Sequence, residues 1–85
     1  MKTATKVKDL DRANGVVALY KLSERLKFYN YVVVSSANVL EEDETYIFGS
    51  DENGVVIDWI ELSGSTRGVY NHETVLNKAG YEMLI

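Results

Sequence analysis

Residues 64–73 read GSTRGVYNHE and gather two glycines, two hydroxyls, an arginine and the single histidine of the chain into ten positions. One chemistry open to this stretch is hydrolysis. Ser63 or Ser65 as nucleophile, His72 as base and Asp58 as the group that orients it would supply the atoms of a triad. The serines, however, sit in no strained nucleophile turn of the GxSxG kind, and His72 is equally well explained as the first residue of a helix. Catalysis is not expected, and no catalytic residue is assigned.

The other chemistry is ligand binding. Gly64 and Gly68 allow the backbone to approach a ligand closely. Ser65, Thr66 and the N–H groups ahead of a helix can donate to the oxygens of an anion. Arg67 can grip a phosphate with two parallel hydrogen bonds, which a lysine does less well. His72 closes the same loop, and Tyr46, Phe48 and Trp59 offer rings on which a base could stack. Together these are the groups a nucleotide needs. The plainer reading stands beside it: Gly-Ser-Thr is ordinary loop chemistry, aromatic residues commonly fill cores, and Arg67 is an ordinary surface side chain.

A metal centre is not expected. One histidine and no cysteine leave only carboxylates, and DETYIFGSDENG lacks the alternating acids of a calcium loop. No cofactor is expected either.

The elements that must position these residues follow from pattern. FYNYVVVSSANV, residues 28–39, is a β-branched run suited to a central strand. VVALYKL, residues 16–22, reads as a strand followed by a loop over residues 23–27. EEDE, residues 41–44, reads as a solvated loop because four like charges repel one another. TYIFGS and GVVIDWIEL flank a turn ending in Asn53-Gly54, a strong hairpin signal. In the second of these strands, Val56, Asp58 and Ile60 are expected on one face and Val55, Ile57, Trp59 and Glu61 on the other. Asn71 as N-cap, Lys78 in the last turn and Gly80 beyond it predict a helix over residues 72–79. YEMLI then suits a short edge strand. Residues 1–14 read as a short helix capped by Thr5 or as a flexible arm.

With 85 residues, 46% of them hydrophobic and 26% charged, one domain spanning residues 1–85 is expected. Residues 1–27 hold seven bases and three acids, a charge of +4, and residues 28–85 hold two bases and ten acids, a charge of −8. Scattered bases argue against duplex nucleic acid, which needs a contiguous basic face. No apolar run approaches a membrane span or the core of a signal peptide, so a cytosolic protein is expected. The fold class predicted is α+β: a small antiparallel sheet of about four strands with one clear hairpin and a C-terminal helix. Because the sheet is apolar on both faces and only one helix is clear, a homo-oligomer, dimeric or higher, is expected to complete it.

The segments YVVVS, ETYIF, DW-x-EL, G-S-x-R-G and H-E-x-x-L-x-x-A-G-Y-E, within residues 31–83, resemble those of small bacteriophage proteins. The nearest family by this resemblance is the Thoeris anti-defence sponge, which sequesters a cyclic ADP-ribose-type immune signal. The resemblance implies a viral protein in the host cytoplasm that holds a cyclic nucleotide at subunit contacts without turning it over. The family's aromatic, amide and arginine ligand groups have counterparts of the same type in Phe48, Asn71 and Arg67. The competing expectation is an acidic inhibitor whose residues 41–61 cover a basic surface of a host protein.

Overall fold

Three adjacent valines, Val32 to Val34, are all buried, as befits a strand covered on both faces. The computed structural model of the protein describes residues 2–10 and 15–84, and its centre is this strand. In chain order the elements are β1 (Thr3–Leu10), β2 (Val16–Leu26), β3 (Tyr29–Val39), β4 (Glu42–Ser50), β5 (Val56–Asp58), β6 (Thr66–Arg67), α1 (His72–Lys78) and β7 (Glu82–Leu84). They form one sheet in the order β5-β4-β3-β2-β1-β7, with β6 pairing β4 as well. All pairs are antiparallel except β1 with β7.

The architecture is α+β in the broad sense, but the described residues carry seven strands rather than about four. One addition is β1, where a short helix or an arm was expected. Ala4, fully buried, pairs with Leu22, and a bulge between Lys6 and Lys8 lets a charged segment stay in the ladder. Residues 11–14, the rest of that expected helix or arm, lie outside the described residues. The expected loop over residues 23–27 is also strand as far as Leu26, and the chain reverses at Lys27, which has a positive φ of 61°.

The acidic loop is likewise mostly strand. Val39 pairs with Glu42, so the turn is only Leu40-Glu41, with φ of 51° and 66°. Positive φ at both central positions is the geometry that matches strand twist in a two-residue hairpin. Glu42, Asp43 and Glu44 then continue into β4, where every second residue faces the same side.

One face of the sheet carries the main core. Ala18, Tyr20, Val32, Val34 and Ile47 meet Val75 and Leu76 of α1, with Tyr81 and Leu62 alongside. The helix begins where expected, Asn71 Oδ1 accepting the Thr74 N–H at 3.1 Å. It ends by directing the N–H groups of Gly80 and Tyr81 to the carbonyls of Asn77 and Leu76, the pattern that a positive-φ residue such as Gly80 makes possible.

The opposite face has a smaller core of Val17, Leu19 and Val33, against which Leu10, Tyr31 and Val56 pack. Here the chain supplies part of the cover that a second subunit was expected to bring. The β4–β5 turn reaches over to β1, so that a Cβ on Gly54 would sit 3.1 Å from a Leu10 methyl. Asp51 holds the turn, its Oδ1 accepting the N–H groups of Asn53 and Val55.

Strand β5 is shorter than the alternation of GVVIDWIEL predicts, and its two-faced register is not kept. The pairing shifts between Gly49 and Ser50, and Asp58 bends the chain by accepting the Ile60 N–H on Oδ1. Its Oδ2 takes the Tyr29 hydroxyl at 3.4 Å. Tyr29 lies so close over Gly49 that a Cβ there would overlap its ring. The chain returns to the sheet at Leu62, whose N–H donates to the Ile47 carbonyl.

Candidate functional site

Residues paired directly across an antiparallel sheet share a face. Tyr46 pairs with Ser35 and Phe48 with Val33, which places both rings on the side away from α1. Trp59, just past the bend at Asp58, meets Phe48 edge to face with centroids 5.2 Å apart. Tyr46 lies on the other side of Phe48 at 6.1 Å, tilted by 38°. Arg67 of β6 pairs with Glu44 of β4, and its Nε is 3.4 Å from Glu44 Oε1. The result is a continuous row on one face: Trp59, Phe48, Tyr46 and Arg67.

The two ends of the row are open. Trp59 is 69% exposed, and the Arg67 side chain is 72% exposed against 15% for Glu44. The Arg67 guanidinium is held even further toward its charged form than usual, first by the Tyr46 hydroxyl beside it, then by Glu44 and Glu42. The guanidinium itself is in solvent, where charge pairing is screened and weak, whereas the Glu44 carboxylate is mostly covered. The exposed guanidinium is therefore accessible to an incoming anion.

The other expected binding residues are elsewhere and are engaged. Ser65 Oγ accepts the Ile47 N–H at 2.9 Å, filling a place in the β4 ladder that neither β5 nor β6 occupies. Asn71 uses its carboxamide oxygen to cap α1. His72 lies on the helix face with Nδ1 3.0 Å from the Tyr20 hydroxyl and Nε2 3.0 Å from the Val16 carbonyl. A carbonyl only accepts, so Nε2 carries the proton and Tyr20 donates to Nδ1. Burial, the largest influence, lowers the His72 pKa and raises that of Tyr20 to about 12. Asn71 and His72 line a shallow depression of about 270 Å3 with Tyr70, Ser36 and Met83, on the side of the sheet away from the aromatic row.

The loop that suggested an anion cradle is itself closed up. The carbonyl of Gly64 accepts from Thr66 Oγ1, Gly68 N–H donates to the Asp43 carbonyl, and the Val69 carbonyl accepts from Thr45 Oγ1. A Cβ on Gly64 would lie 2.5 Å from the Val75 carbonyl, so this glycine serves close packing on the helix. Thr45 donates to Val69, so the buried Ser36 hydroxyl, 2.8 Å away, must donate to Thr45. These bonds make GSTRGVYNHE a connector that pins β4 to α1, and Arg67 is the residue it leaves facing solvent on the aromatic side.

Glu44 is the site residue that sequence reasoning passed over. The alternation Glu44, Tyr46, Phe48 places it on the same face as the rings, but the run of four acids obscured that signal. Comparison with protein-family models, with curated proteins and with solved structures gives no match, so the functional reading rests on the geometry and on the resemblance of the sequence segments.

Proposed function

We propose that this protein is a binding protein without turnover, and that the face from Arg67 to Trp59 takes a nucleotide-type signal of the cyclic ADP-ribose kind. The observation that carries the reading is the row itself. Four of the seven residues expected to bind come together on one face, with an indole at one end and a guanidinium at the other. A purine stacks on Trp59, whose ring is already held edge-on by Phe48. A phosphate pairs with the exposed guanidinium of Arg67.

Sequestration fits the same groups. The row contains no nucleophile and base in contact, and His72 is committed on the opposite face. Removing a signal by binding alone demands high affinity, and nanomolar dissociation corresponds to about −12 kcal/mol. An open row encloses a ligand less than the usual pocket does, and a second copy laid over the face would complete the enclosure. In this reading the protein acts as a phage-encoded sponge in the host cytoplasm.

The test is native mass spectrometry of the protein incubated with a lysate in which a Thoeris signal-producing enzyme is active, followed by denaturation. Stoichiometric release of an intact cyclic ADP-ribose isomer supports the reading. A protein that emerges with nothing bound, or a ligand returned as hydrolysis products, opposes it.

A further inference from the structure

The terminal strand β5 and the residues beside it adjoin the proposed ligand face at Trp59 and present further apolar side chains that the face does not use. Val55, Ile57 and Ile60 are 60–61% exposed, a concentration of large apolar side chains in six residues of a small chain. Soluble monomers expose such residues singly more often than in clusters. The strand lies at one end of the sheet order, so no further strand flanks it among the described residues.

Charge says what kind of molecule this edge fits. Residues 51–66 contain Asp51, Glu52, Asp58 and Glu61 and no lysine or arginine. Among the described residues, the ion pairs are Lys6 with Asp9 and Arg67 with Glu44, so none of these four acids is neutralised by one. Lys27 lines a depression with Glu61, Leu62 and Ser63, but it is a single base and of the four acids only Glu61 shares that depression. A second copy meeting the edge symmetrically would set acids against acids. The other end of the sheet is more basic, since β7 covers β1 only over Thr3–Thr5 and Lys6 and Lys8 stay exposed beside it, but pairing that end with β5 of a second copy runs head to tail and does not close on a symmetric dimer.

We infer that the β5 edge docks an extended segment of a partner protein in which apolar residues alternate with lysine or arginine. Such a segment adds a strand to the edge through its backbone, sets its apolar side chains on Val55, Ile57 and Ile60, and turns its bases toward Glu52, Asp58 and Glu61. The edge adjoins the ligand row at Trp59, which lies between Ile57 and Ile60, but Ile57→Lys and Glu61→Lys leave every residue of that row in place, so the test does not depend on that reading.

The experiment uses the full chain and three fluorescein-labelled peptides read by anisotropy: an alternating Lys-Val octapeptide, a peptide of the same composition with its lysines and valines in two blocks, and an alternating Glu-Val octapeptide. The expected result is that the alternating basic peptide binds at least tenfold more tightly than either control. Ile57→Lys and Glu61→Lys each weaken it at least tenfold, and unchanged circular dichroism of the variants shows that the fold is kept. Equal binding of the two basic peptides, or indifference to Ile57→Lys, overturns the proposal. So does a concentration-dependent dimer in analytical ultracentrifugation that Ile57→Lys abolishes, since that result assigns the edge to a second copy.

Discussion

The Tyr20 hydroxyl donates to Nδ1 of His72 across 3.0 Å, joining the second strand to the first turn of the helix. Because Nε2 is also used, on the Val16 carbonyl, both ring nitrogens of the neutral imidazole are bonded. Its folded pKa lies below the ordinary 6.5, chiefly through burial and against the opposing influence of the Val16 bond, with Lys6 lowering it further and Asp9 raising it. The unfolded chain therefore binds the extra proton first as pH falls.

Stability from this group is fully present above about pH 6.5 and declines as pH drops through that value toward the lower folded pKa. Urea unfolding of the wild type at pH 7.5 and pH 5.5 should show the loss, and His72→Phe should lessen it. Tyr20→Phe removes the donor and is expected to cost about 1 kcal/mol at neutral pH. An unfolding midpoint in His72→Phe that falls as steeply with pH as in the wild type would contradict this account.

The turn at Leu40-Glu41 carries two side chains where φ is positive and Leu40 is almost wholly exposed. Replacing the pair by Asn-Gly retains the hairpin geometry and relieves strain. A gain of roughly 1 kcal/mol is expected, which corresponds to about 4–8 °C in Tm for a domain of this size. Differential scanning calorimetry measures it directly.

Gly64 and Gly68 should separate packing from conformation. Both have positive φ, but a Cβ on Gly64 strikes the Val75 carbonyl whereas one on Gly68 meets nothing within 4 Å. Gly64→Ala is expected to lose roughly 1–3 kcal/mol or more, and Gly68→Ala roughly 1 kcal/mol. Denaturant titration of the two variants gives the ranking. Equal losses would mean that the close approach at Gly64 is of no consequence.

Much of this organisation is legible in the residues. The valine run of β3, the Asn53-Gly54 turn and the capped helix depend on local chemistry that a few adjacent positions carry in full. What was not legible depends on partners distant in sequence. TATKVKDL becomes a strand because β2 and β7 lie on either side of it, and a bulge absorbs its charges. EDE enters β4 because the turn needs only two residues, which a run of four acids disguises. Of the expected site, Tyr46, Phe48, Trp59 and Arg67 converge because strand alternation and the bend at Asp58 place them so. Ser65, Asn71 and His72 have side chains suited to a ligand, but the backbone of β4, the start of the helix and Tyr20 claim them first.

The central claim is that the row from Arg67 to Trp59 binds a nucleotide, and the chain's single tryptophan reports on that face. The measurement is a titration of Trp59 fluorescence with cyclic ADP-ribose isomers in the wild type and in Arg67→Ala, with Tm recorded for both. The account predicts saturable, stoichiometric quenching in the wild type, at least tenfold weaker binding in the variant, and a Tm that changes little because the Arg67 side chain is mostly exposed. Fluorescence that stays flat to millimolar ligand in the wild type, or an Arg67→Ala variant that binds equally well, would contradict it.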